Sequence, residues 1–243
     1  MIREGMRALV FSAHAADFCS RAGGTIARIV DAGGSVQVID MSYGIRCESP
    51  ALWPREPRPT HEEVRAIRKQ EIAEAASILG AQISCFGFED SPLVLGPERR
   101  LQILDAIREF KPDLVLSHWI RDIMHPDHVE TTEAVLWACS YSNAAGIETS
   151  NAPFGRPPLV CYETTLGTSP VAGFVPNLYV DVTPVFARKI EALKKLAAQP
   201  PLPEAYTILG RYRALEARHC GGLGAECEFA EAFARMGAEA VGV

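Results

Sequence analysis

The chain has 243 residues, of which 48% are hydrophobic and 22% charged, enough for one α/β domain with a substantial core and ordinary for a globular protein. The net charge of −6, with no run of like charges, argues against nucleic acid as a partner, which calls for a basic stripe. No apolar stretch approaches the roughly 20 residues that span a bilayer, so no membrane is expected either. Seven cysteines lack Cys-x-x-Cys spacing, and the first residues, Met1-Ile-Arg-Glu-Gly-Met-Arg7, lack signal-peptide organisation; together they predict reduced thiols in a cytoplasmic protein.

Residues 8–12 (Ala-Leu-Val-Phe-Ser) read as a buried strand, and residues 21–32 as a helix closed by Gly33-Gly34. Residues 36–41 form a second predicted strand. Thr60-His-Glu-Glu63 is a capping-box pattern opening a helix that runs to Leu79 and stops at Gly80. A third strand is expected over 83–88, a helix over 98–110 and a fourth strand over 114–118. Residues 143–158, rich in Gly, Pro, Asn and Ser, read as a loop. Strands over 159–164 and 178–182 follow, then a helix over 185–198, a break at Pro200-Pro-Leu-Pro203 and one or two terminal helices. Strands alternating with helices of this length imply βαβ crossovers, hence an α/β fold with a Rossmann-like, doubly wound, mostly parallel sheet flanked by helices. The chain reads as a single domain, 1–243, with a C-terminal helical segment from about 185 to 243 packing on it.

Ligands of such sheets bind at the carboxyl ends of the strands. His14 follows the first strand, residues 43–48 the second, Asp90 the third and residues 118–128 the fourth, so polar residues from four segments converge on one sheet edge. The first turn, Ser12-Ala-His-Ala-Ala-Asp-Phe-Cys-Ser-Arg-Ala-Gly-Gly24, has no GxGxxG, and its glycines come too late to cradle a pyrophosphate. A nicotinamide or flavin cofactor is therefore not expected; Gly23-Gly24 suits close packing of the first helix on the sheet. His125 and His128 flank Pro126, a residue suited to a helix start. Alone they are either surface histidines or metal ligands on one helix face. With His14 and Asp17 at the same edge they read as ligands, two histidines and an aspartate being a usual catalytic zinc set with one position open.

His14-Ala-Ala-Asp17 and His125-Pro-Asp-His128 resemble the two signatures of the LmbE-like (PIG-L) family of zinc-dependent de-N-acetylases, Ala-His-Pro-Asp-Asp-Glu and His-Pro-Asp-His. The resemblance extends over nearly the whole chain, including Tyr179-Val-Asp-Val-Thr183 and Ala230-Glu-Ala-Phe233. It implies His14, Asp17 and His128 as zinc ligands and His125 as the group assisting the reacting oxygen; Mn2+ or Fe2+ would accept the same set. The chain departs from the pattern at Ala15, Ala16 and Phe18, and Ala16 replaces the aspartate that is the family's general base. A methyl group accepts no proton. The surrounding Arg21-Ala-Gly-Gly24 and Gly44-Ile-Arg-Cys-Glu-Ser49 are similar to the 4-oxalomesaconate hydratase branch, which adds water to an unsaturated oxo-polycarboxylate in aromatic catabolism.

That resemblance makes Glu48 the candidate base or proton shuttle, the other reading being a solvent-facing loop glutamate. Arg21, Arg46 and Arg121 lie on loops where guanidinium groups could meet the carboxylates of a small anionic substrate. Arg68 and Glu71, in one stripe with Val64 and Ala75, form either a structural ion pair, the favoured reading, or a substrate contact. Asp90 is expected to brace the site, and His118 to be a core histidine or a neighbour of the metal. His219 is unplaced, and no cysteine is assigned to catalysis. A deacetylase with a displaced base and an inactive binding protein are the alternative functions. A homo-oligomer is the default expectation for assembly.

Overall fold

The computed structural model describes residues 2–236. The first half of the chain alternates β1 (Arg7–Ser12), α1 (Asp17–Asp31), β2 (Ser35–Asp40), α2 (His61–Leu79), β3 (Gln82–Cys85), α3 (Pro97–Phe110), β4 (Leu114–His118) and α4 (Pro126–Tyr141). The second half adds β5 (Leu159–Tyr162), a short α5 (Ser169–Ala172), β6 (Leu178–Asp181), α6 (Phe186–Lys195), α7 (Leu202–Cys220) and β7 (Ala230–Arg235). The seven strands form one sheet in the order β3-β2-β1-β4-β5-β7-β6. All pairs from β3 to β5 are parallel, and β7 runs antiparallel to both its neighbours. The expected single α/β fold with a mostly parallel sheet is what forms.

Burial explains the strand pattern. β1 lies mid-sheet, so Ala8 and Val10 enter one core while Leu9 and Phe11 enter the other, the period-two alternation of a strand covered on both faces. The first core is closed by α1, α2 and α6 through Phe18, Ile26, Leu79 and Leu193. The second is closed by α3 and α4 through Ile103, Ile107 and Val135. α2 begins at the predicted capping box, Thr60 and Glu63 each accepting from the other's backbone, and ends at Gly80 with φ 80°. Among the described residues, no helix is long and apolar enough to cross a membrane.

Gly24 permits the close approach of α1 to the loop after β6: a Cβ there would lie 2.6 Å from Val182 Cβ. Beside it, the buried Glu231 carboxylate of β7 accepts from Gly24 N (2.8 Å), Thr25 N (2.7 Å), Thr25 Oγ1 (2.6 Å) and Lys189 Nζ of α6 (2.6 Å). α1, α6 and β7 are thereby tied at one point.

Three expectations are corrected. α1 starts at Asp17 rather than residue 21, which puts that carboxylate in the first helical turn, where the helix dipole favours negative charge. β3 ends at Cys85, although Phe86 N and Phe88 N still bond the Asp40 and Met41 carbonyls. Residues 230–235, expected within a helical segment, form β7. Ala-Glu-Ala-Phe-Ala-Arg favours helix by local propensity, but the slot between β5 and β6 satisfies its backbone as a strand, and tertiary pairing prevails. Residues 237–243 of that segment lie outside the described residues.

Candidate metal centre

The turn after β1 is fixed by its own polar groups. Asp17 Oδ2 accepts from His14 N at 2.8 Å, and Asp17 N returns a bond to His14 O at 3.2 Å. Ser42 Oγ donates to Ala13 O, while Ala13 N donates to His118 Nε2 at 3.0 Å. An acceptor role for Nε2 makes His118 a neutral histidine. Burial and then the neighbouring His128 hold its pKa well below the ordinary value, so its 3.4 Å approach to Asp17 Oδ2 is no ion pair. His118 stacks on His128 with centroids 4.0 Å apart and acts as a core wall behind the site.

Three buried ring nitrogens have no hydrogen-bond partner; besides His118 Nδ1 they are His14 Nδ1 and His128 Nε2. Both face one carboxylate: His14 Nδ1 is 3.6 Å from Asp17 Oδ2, and His128 Nε2 is 3.5 Å from Asp17 Oδ1. Ligand atoms about 2.1 Å from an ion and at tetrahedral angles lie roughly 3.4 Å apart. The orphaned nitrogens and their spacing therefore fit a bound divalent ion, and His14, Asp17 and His128 form a candidate metal-binding group.

The far side of each imidazole is also held. His14 Nε2 is 3.1 Å from Asp127 Oδ2, and His128 Nδ1 is 3.0 Å from Asp122 Oδ2, the carboxylate–histidine pairing that orients metal ligands. Asp127 is fixed by Ser91 N and Leu93 N (both 2.9 Å), and Asp122 by Thr165 N (2.8 Å) and Met124 N (3.0 Å). Burial opposes charge on these aspartates, but the histidine and backbone bonds prevail and hold both pKa values well below the ordinary range. Burial likewise opposes an imidazolium at His14, yet Asp127 and Asp17 outweigh it and raise its pKa well above the ordinary value. At His128 burial wins and the pKa is pushed down to about 4, so its Nε2 lone pair is free at neutral pH.

The loop after β2 closes over this turn. Gly44 has φ +64°, and a Cβ there would meet Glu48 Cβ at 2.6 Å and His14 Cβ at 3.2 Å, so glycine admits the loop. Asp90 braces it as expected, accepting from Arg46 N (2.8 Å) and Cys47 N (3.1 Å). Glu48 is thereby buried to 8% exposure, which removes the solvent-facing alternative. Its Oε1 lies 3.5 Å from His125 Nε2, and its Oε2 accepts from Gln199 Nε2. A cleft of about 150 Å³ lies among Ala16, Asp17, Arg21, Glu48, His125 and Gln199. A larger groove of about 1020 Å³ opens at the opposite ends of the strands, beside Met6, Leu114 and Leu159, and contains no histidine.

Five of the eight proposed site residues thus meet at one place: His14, Asp17, Glu48, His125 and His128. Arg21 lines the cleft, but its NH1 bonds Asp17 Oδ1 at 2.6 Å and its Nε the Glu163 carbonyl at 3.0 Å. Arg46 turns to Glu89 Oε2 and the Asp90 carbonyl, and Arg121 is exposed; neither lines the cleft. Arg68 and Glu71 are a buried ion pair at 2.5 Å. Glu71 accepts from Ala198 N and Arg68 donates to Gln199 Oε1, so the pair holds the segment that presents Gln199 to Glu48. His219 is exposed near the end of α7 and bonds the Leu215 carbonyl. The reading of the sequence missed Asp122, Asp127 and Gln199. Asp127 stands inside the second motif, whereas Asp122 and Gln199 carry no pattern that marks them.

The family model PIG-L, described as GlcNAc-PI de-N-acetylase, matches residues 9–139. A 4-oxalmesaconate hydratase of Pseudomonas putida is 32% identical over 216 residues, covering 89% of this chain and 83% of that protein. The crystal structure of GalB, the 4-carboxy-2-hydroxymuconate hydratase of Pseudomonas putida KT2440, superposes with a TM-score of 0.91 at 30% identity, covering 98% of this chain and 99% of that one. N,N'-diacetylchitobiose deacetylase of Pyrococcus horikoshii shares the fold, with a TM-score of 0.78 at 22% identity over 95% of this chain and 84% of that one. The matched segment holds His14, Asp17 and His128, the candidate metal group, and runs from within β1 through β4, and the chain belongs to the PIG-L family.

Proposed function

We propose that this protein is a zinc-dependent hydratase that adds water to the carbon–carbon double bond of an unsaturated oxo-polycarboxylate of the 4-oxalomesaconate type, a step of aromatic-compound catabolism. One observation carries the reading. Ala16 puts a methyl group, 3% exposed, where the family's amide-hydrolysis base stands, while the Glu48 carboxylate enters the same cleft from the facing loop. The likeness to the two hydratases supports the same conclusion.

His14, Asp17 and His128 are the residues that would hold the ion. Zinc suits two imidazoles and a carboxylate, and Mn2+ or Fe2+ would fit as alternatives. When bound, it supplies Lewis acidity toward the carbonyl conjugated with the double bond. Glu48 Oε1 takes a proton from the attacking water as the new carbon–oxygen bond forms and the π pair moves toward that carbonyl. The Glu48–His125 pair, 3.5 Å apart, then returns a proton to the neighbouring carbon. Gln199 fixes Glu48 Oε2 so that Oε1 faces the reacting atoms. Arg21 bears positive charge at the cleft wall and favours a small polyanion there.

Metal-loaded protein is expected to remove the ultraviolet absorbance of 4-oxalomesaconate; an unchanged spectrum would overturn the assignment. The alternative is a deacetylase, for which the family description speaks. That activity would release free amine from N-acetylglucosaminyl compounds and would rise on Ala16→Asp. An unchanged or lower rate in that variant counts against it.

A further inference from the structure

The mechanism leaves one thiol beside His14 unused. Cys47 is exposed, and its Sγ lies 3.7 Å from His14 Nε2, the ring nitrogen other than the one that faces Asp17. Donor atoms of His14, Cys47, Glu48 and His125 all lie within 4.8 Å of one another. Of these, His14 Nε2 is already engaged by Asp127 at 3.1 Å, which leaves Cys47 Sγ, Glu48 Oε1 and His125 Nε2. The last two are 3.5 Å apart, close to the roughly 3.4 Å edge of a tetrahedral site.

We propose that Cys47, Glu48 and His125 form a second, inhibitory site for a thiophilic divalent ion such as Zn2+ or Cd2+. Three features point to this chemistry. Sulfur, imidazole and carboxylate together match borderline and soft ions rather than Mg2+ or Ca2+. Cys47 is an exposed residue on the loop after β2, so an ion approaches it from solvent without unfolding the loop. Two of the three donors are already fixed: Gln199 holds the other oxygen of Glu48, and Asp90 holds the backbone nitrogens of Arg46 and Cys47.

Binding forms a metal–sulfur bond and releases the thiol proton to solvent. It also occupies Glu48 Oε1 and His125 Nε2, the atoms that move protons in the hydratase reading. Inhibition by excess zinc or cadmium rests on that reading; the site itself rests on geometry alone.

The test starts from protein loaded with one equivalent of Zn2+ and adds Cd2+. A second equivalent is expected to bind with the ultraviolet thiolate-to-cadmium charge-transfer band, which the His14–Asp17–His128 set cannot produce because it has no sulfur. Cys47→Ser and Cys47→Ala should lose the band and weaken the second ion about tenfold or more. Cys220→Ser, which removes the other exposed thiol, should retain it. Absence of a second equivalent, or an unchanged band in both Cys47 variants, overturns the site. The same titration followed by turnover separates the two ideas. A Cys47-dependent band with undiminished turnover would preserve the site and remove Glu48 and His125 from proton transfer.

Discussion

At residue scale the proposed chemistry turns on two side chains, one by what it lacks. Ala16 offers no proton acceptor, so in the proposed hydratase proton transfer falls to Glu48. Glu48→Gln keeps the hydrogen bond to Gln199 in shape but cannot take a proton, and hydration kcat should fall about 10²- to 10⁴-fold with the bound-metal content unchanged. Steady-state kinetics with metal analysis on the same preparation checks this; full activity would remove Glu48 from the mechanism. Asp122 acts one shell further out, through the 3.0 Å bond to His128 Nδ1. Asp122→Asn should weaken metal affinity about 10- to 100-fold, measured by competition with a chelator. These two residues differ in legibility. Glu48 was found because its neighbours Gly44 to Ser49 resemble a known branch. Asp122 was not, because its role arises only where the loop after β4 folds back against Thr165 and His128, a relation no local spacing encodes.

At the scale of elements, the parts defined by local rules matched their prediction. The capping box at Thr60 and Glu63, the glycine stop at Gly80 and the continuous burial of β1 are each set within a few residues. β7 is set by its neighbours instead. Its alternate alanines and its glutamate favour helix on their own, and no β-branched residue marks it as a strand. The junction it makes with α1 and α6 carries a further prediction. Lys189 and Glu231 are 3% and 4% exposed, and removing one partner of a buried pair strands the other charge. Lys189→Met should therefore destabilise the fold by about 3–5 kcal/mol, read as a lowered denaturation midpoint. A change near zero would show that the Gly24 and Thr25 donors satisfy Glu231 unaided.

For the whole molecule, the charged groups around the metal centre set the response to pH. Asp122 and Asp127 have folded-state pKa values below the ordinary 3.8. Their stabilisation is present above about pH 4 and is lost as pH falls through the folded values. His14 has the opposite sign. Its folded pKa exceeds 6.5, so its contribution is complete below 6.5 and is lost as pH rises through the folded value. Metal-stripped protein should thus lose stability on both sides of a mildly acidic optimum. Zn2+ should flatten the alkaline fall, because the ion replaces the His14 proton as the positive charge between Asp17 and Asp127. Urea midpoints measured across pH with chelator or with zinc test this; parallel alkaline limbs would contradict it. Thiol reactivity offers an independent check on the same scale. Burial pushes Cys139 and Cys161 up to about 12, leaving them protonated near neutrality. Native protein should then be alkylated first at Cys47 and Cys220, the two exposed thiols.

The position of β7 also bears on the order in which the molecule can be made. β6 joins the sheet only through β7, and β7 supplies the carboxylate that caps the Gly24–Thr25 backbone of α1. A nascent chain emerging N-terminus first has presented every candidate metal ligand by residue 128, yet the backbone of the helix that begins with Asp17 lacks its Glu231 partner until residue 231 arrives. Synthesis halted before residue 230 would release two strands rather than one and leave both edges of the β5–β6 gap unpaired, a surface prone to pairing with other chains. The candidate metal group, whose three members all lie in the first 128 residues, is therefore complete in the emerging chain well before the contact that ties α1 to α6 through β7.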